Sequence, residues 1–111
     1  MIEEIYLELI SWLYGLIEDD PIPYEINTLA FYVTNNFEVG FTGTEEEEIK
    51  TLEKFFYNPL EAQYFYCPKL YSLPNVEEVL EKLLIKLKKD KYFKNYNLYI
   101  GKLNYDAKKI N

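Results

Sequence analysis

Residues 42–50 read TGTEEEEIK, and the four consecutive glutamates at 45–48 are the densest set of potential ligands or bases in the chain. Hard cations such as Mg²⁺ and Ca²⁺ take carboxylate oxygens, so Asp19, Asp20 and the 45–48 glutamates are the residues from which such a site could be assembled. The spacing argues against it. Consecutive helical residues splay by about 100° each, so four in a row cannot converge on one ion. EF-hand spacing is also absent. The remaining chemistry is excluded by residue type: there is no histidine and one cysteine, Cys67, so histidine-based triads, Cys-His pairs and the usual zinc sites cannot be built. The four glycines are scattered through the chain, without a phosphate-cradling motif. Cys67, within YFYCP, reads as a buried and inert thiol. The sequence therefore predicts no catalytic, cofactor or metal site and a protein that is not an enzyme.

All 12 basic residues are lysines, so no guanidinium fork is available for bidentate recognition of phosphate or carboxylate. With a net charge of −7, the chain is also poorly suited to binding nucleic acid, which depends on neutralising phosphates. The charge is unevenly divided. Residues 1–61 carry 14 acids and 2 lysines, whereas residues 62–111 carry 5 acids and 10 lysines. Either the halves pack together and neutralise each other, or one of them presents a one-signed face to a partner.

The elements that must position these groups follow from periodicity. Ile2, Ile5, Tyr6, Leu9, Ile10, Leu13, Leu16 and Ile17 recur at helical spacing, predicting an amphipathic helix over 2–17 that EDDPIP ends. Trp12 and Tyr14 widen its apolar face. INTLAFYVT (26–34) and FEVGF (37–41) alternate as strands do. A three-residue loop, 34–36, pairs Val33 with Phe37, Phe31 with Val39 and Leu29 with Phe41, and collects these six side chains on one face. Thr44 and Glu47 have the spacing of a capping box, which makes the glutamate run the first turn of a helix over 45–57, with Ile49, Leu52, Phe55 and Phe56 on its apolar face. AQYFYCP (62–68) reads as a short strand, PKLYSLP as a connection, and 75–89 as a helix capped by Asn75 and Glu78. LYIGKL (98–103) reads as a last strand, and YDAKKIN as a fraying tail. The order α-β-β-α-β-α-β predicts one α+β domain over 1–111, an antiparallel or mixed sheet of about four strands with about three helices packed on it.

The N-terminal segment is broken by Glu3, Glu4 and Glu8, so it is expected to be neither a signal peptide nor a membrane span. A single cysteine fits a reducing cytosol, and the protein is expected to be cytoplasmic. Aromatic residues make up 18% of the chain, with 12 tyrosines, a type suited to contact surfaces. Together these features predict a non-enzymatic binding or inhibitory protein that meets a basic protein partner through an acidic surface. That surface would draw on the first helix, the 18–25 connection and the start of the second, with Glu18, Asp19, Asp20, Glu45, Glu46 and Glu48 as its contact residues. Bacterial immunity proteins that neutralise nuclease toxins are similar in size and charge, a likeness of composition and not of motif. The alternative is a structural or regulatory homo-oligomeric subunit, joined through an exposed aromatic strand or the over-wide helix face.

Overall fold

The computed structural model describes residues 1–34, 38–50, 57, 64–73, 75–101 and 107–110. The first helix, α1 (Ile2–Asp19), places Ile5, Leu9, Leu13 and Leu16 in the core, as the spacing predicts. β1 (Thr28–Val33) and β2 (Val39–Thr44) follow as an antiparallel pair. A short helix, α2 (Pro68–Tyr71), starts on Pro68, where the missing N–H costs nothing. α3 (Val76–Leu87) buries Leu80, Leu83, Leu84 and Leu87. A 3-10 turn at Phe93–Asn95 leads into β3 (Asn97–Gly101), and β4 (Lys108–Ile110) completes the sheet.

The sheet is mixed, in the order β2-β1-β3-β4, with β1 and β3 parallel and both outer pairs antiparallel. The fold is the expected one, a small α+β domain: among the described residues it has three helices and a four-stranded sheet, and its radius of gyration of 12.8 Å is as compact as a chain of this length should be. The parallel β1–β3 pairing requires the chain to cross between them, and α3 lies on that crossover, as parallel pairing ordinarily demands.

The alternation in β1 and β2 sorts their side chains correctly, but the register differs by two. Val33 pairs with Val39, Phe31 with Phe41 and Leu29 with Gly43. The Thr34 N–H also donates to the Glu38 carbonyl at 2.7 Å. The centre of the pairing thus falls one residue later than expected; residues 35–37, Phe37 among them, lie outside the described residues. A shift of two keeps every side chain on its face. Leu29, Phe31, Val39 and Phe41 are buried in the core accordingly, where Phe31 and Phe41 stack at 5.5 Å.

Other boundaries moved further. Residues 45–50 are not helical, and Thr44 is the buried last residue of β2 rather than a helix cap. Residues 51–56 of the expected helix lie outside the described residues, and Tyr57 forms an antiparallel bridge with Gly43. The expected strand at 62–68 is represented by one bridge, Phe65 to Val39, before α2 begins; residues 62 and 63 are outside the described set. Asn75 precedes α3 without a side-chain capping bond, so the predicted box with Glu78 does not form. Residues 102–106 and 111 are outside the described set, but 108–110 of the supposed tail form β4. There, Ile110 pairs with Leu98 and is buried.

Candidate interaction surface

One face of the sheet carries the helices. The other is lined by Thr28, Ala30 and Tyr32 of β1, Gly40, Thr42 and Thr44 of β2, and Tyr99 of β3. Thr28, Ala30, Thr42, Thr44 and Tyr99 are nonetheless buried. Among the described residues their cover includes the segment after β2: Ile49 packs on the Ala30–Tyr99 cluster, as does Ala107, whose N–H donates to the Lys50 carbonyl at 2.7 Å.

The glutamate run is therefore a strap tied to one end of the sheet through its backbone. Asn27 Nδ2 donates to the Glu45 carbonyl at 2.7 Å, and Thr28 Oγ1 to the Glu46 carbonyl at 2.6 Å. Asn97 Nδ2 donates to the Glu47 carbonyl at 3.1 Å. The Glu46 N–H turns back to Thr44 Oγ1 at 3.3 Å. Short polar side chains just before and at the starts of β1 and β3 thus satisfy carbonyls that a helix would have satisfied internally. All four glutamates remain exposed.

The end of α1 meets the same region. Tyr57 spans the two segments: its hydroxyl donates to the Asp20 carbonyl at 2.6 Å, while its backbone exchanges two hydrogen bonds with Gly43. Burial, followed by the nearby Asp20 carboxylate, raises the Tyr57 phenol above its ordinary range. Asn27 donates its own N–H to the Thr44 carbonyl. The structure thus brings the 18–20 and 45–48 segments to one end of the molecule. Glu18 and Asp19 are exposed there, and Asp20 is half-buried.

The acids fall into two groups by partner. At the start of α1, Lys69 Nζ lies 3.5 Å from Glu4 and 3.4 Å from Glu8, and Lys86 pairs with Glu3. The lysine-rich half neutralises this part of the acidic half. About 15–24 Å further along the helix axis, by the ordinary helical rise, Glu18 and Asp19 make no such pair among the described residues. Among the described residues, neither do Glu45, Glu46 and Glu48. The basic half approaches this end through Asn97, whose N–H donates to the Asn27 carbonyl. Lys88, however, is turned inward onto the carbonyls of Lys94 and Tyr96, and burial lowers its pKa.

Two features were not legible in the sequence. Asp90 Oδ2 accepts from Tyr14 Oη at 2.7 Å and from the N–H groups of Tyr92 and Phe93, joining α1 to the turn before β3. A shallow groove of about 520 Å³ on the outside of α1 is lined by Leu7, Glu8, Ser11, Trp12 and Phe65. Cys67 is buried, its thiol 3.7 Å from Glu8 Oε2. Among the described residues no three of the Cys, Asp and Glu side chains are grouped to hold a metal ion, and no helix is long and apolar enough to cross a membrane.

No protein-family model matches the chain, and comparison with the curated proteins and the solved structures yielded no match either.

Proposed function

We propose that the protein is a non-enzymatic cytoplasmic binding protein that inhibits or sequesters a basic protein partner, such as a nuclease toxin, in the manner of an immunity protein. One observation carries this reading: the acids are unequally used. Those at the start of α1 are joined to lysines, whereas Glu18, Asp19, Glu45, Glu46 and Glu48 have no ion-pair partner among the described residues. The strap that carries three of them is fastened by its backbone, which leaves its carboxylates directed at solvent. Like charges gathered on a fixed surface cost stability, and they speed encounter with an oppositely charged protein. They also imitate the phosphates that a nuclease binds.

The test is capture of the partner from the source cell at low salt, followed by kinetics with the purified partner. Reversing Glu45, Glu46 and Glu48 together to lysine should slow association more than it speeds dissociation. An unchanged association rate rejects this surface.

A homodimeric subunit is the second reading. It is favoured by Leu7, which is 63% exposed at the lip of the groove beside Trp12 and Phe65. Sedimentation separates the two readings: a stable dimer at micromolar concentration supports the subunit.

A further inference from the structure

The connection between α1 and β1 is held at closely spaced points. Asp20 donates its N–H to the Leu16 carbonyl and accepts the Tyr57 hydroxyl at its own carbonyl. Ile22 and Ile26 are buried in the core, and the Ile26 N–H donates to the Pro23 carbonyl at 3.1 Å. Pro21 and Pro23 fix two further φ angles. From the middle of this pinned turn Tyr24 projects with 97% of its surface exposed, the most of any large apolar side chain described. Glu25 beside it is exposed, as are Glu18 and Asp19 before the turn.

An aromatic ring held in water by a rigid backbone gains nothing for the fold. It suits a contact, because little ordering entropy remains to be lost on binding and the ring offers both faces. We infer that Tyr24 is the aromatic anchor of the acidic docking surface and that it receives an arginine of the basic partner. This rests on the reading of that surface given above. The ring takes a guanidinium plane by cation–π stacking, while the neighbouring carboxylates accept the N–H fork. A lysine ammonium satisfies the charge but not the planar stacking, so the site should distinguish the two.

Hexa-arginine and hexalysine peptides, titrated at low salt and followed by NMR, test this whatever the identity of the partner. The Tyr24 ring signals should shift together with the amides of 18–20, 22, 24, 25 and 45–48. Hexa-arginine should bind more tightly than hexalysine. Tyr24→Ala should weaken the arginine peptide about two- to fivefold, and Tyr24→Phe should retain most of the affinity. If the 18–20 and 45–48 amides shift while Tyr24→Ala binds as the parent does, the anchor is overturned and the acidic surface stands. Equal affinity for the two peptides also overturns it. If neither peptide shifts these residues, the docking surface itself fails, and the anchor with it.

Discussion

Gly43 and Gly15 look equivalent in the sequence and should respond oppositely to the same substitution. A Cβ on Gly43 would lie 2.9 Å from Ile26 Cγ2 and 3.2 Å from both Leu29 Cδ2 and Tyr57 Cδ2, against buried neighbours with little room to move. Gly43→Ala should therefore cost about 1–3 kcal/mol by overpacking. Gly15 is exposed within α1, and a Cβ there meets nothing within 4 Å. Gly15→Ala should add about 0.5–1 kcal/mol, because it removes glycine's backbone freedom from the unfolded chain. Urea midpoints at unchanged slope check both signs. The tyrosines make a second prediction at this scale. Burial in each case, followed by the contact with Tyr64 for Tyr32, the Glu38 charge for Tyr71 and the bond to Tyr92 for Tyr96, pushes these phenols up to about 12. An unfolded tyrosine ionises near 10, so the folded state favours the protonated phenol. That contribution is complete below about pH 10 and is lost as pH rises through about 12. Stability should fall steeply across this window, and absorbance at 295 nm should show a delayed class of tyrosines that ionise with unfolding.

The two long helices, α1 and α3, and the hairpin faces were legible in the sequence because their signals are local, whereas α2 falls where a connection was expected and the glutamate strap was hidden because its determinants are distant. T-E-E-E before an apolar run satisfies every local rule for a helix start. What overrides it is tertiary: β2 runs on through Thr44, and Asn27, Thr28 and Asn97 offer the following carbonyls partners 18 to 50 residues away. The strap reading makes a distinction that a helix start does not. Thr28→Val removes the hydroxyl on which the Glu46 carbonyl rests and should cost about 1–3 kcal/mol, since a partly buried carbonyl loses its donor. Glu46→Ala deletes only an exposed side chain and should stay within about 0.5 kcal/mol. A helix start predicts little from Thr28→Val, which is the variant that separates the two readings, since Glu46→Ala costs only a few tenths of a kcal/mol (about 0.3–0.5) in either. The C-terminal segment hides its strand for the same reason. Its pattern is too short and too rich in lysine to signal one, yet pairing with β3 drives Ile110 into the core at 2% exposure. Ile110→Ala should cost about 2–4 kcal/mol, an effect that no fraying tail would give. The exposed Lys108 and Lys109 suit this position, because charge on an edge strand discourages pairing with another chain.

For the molecule as a whole, the issue is how the charge is divided between folding and recognition. The ion pairs at the start of α1 lie at the surface, where each is worth about 0–1 kcal/mol and is weakened by salt. The unpaired acids at the other end repel one another over longer distances. Raising ionic strength from about 0.01 M to 0.15 M shortens the screening length from about 30 Å to 8 Å, which removes long-range repulsion more completely than it removes contacts of 3–4 Å. Added salt should therefore raise the folding midpoint slightly, while it slows association with a basic partner. The opposed signs matter because they tie both effects to the same carboxylates. Reversal of Glu45, Glu46 and Glu48 to lysine should flatten both salt dependences together and leave stability equal to or above that of the parent. Urea unfolding and stopped-flow association, each measured at the two ionic strengths for parent and variant, provide the comparison. A folding midpoint that falls with salt would mean that the Glu3, Glu4 and Glu8 pairs outweigh the acidic end. The charge asymmetry would then be a device of folding, and the case for a one-signed docking face would lose its energetic basis.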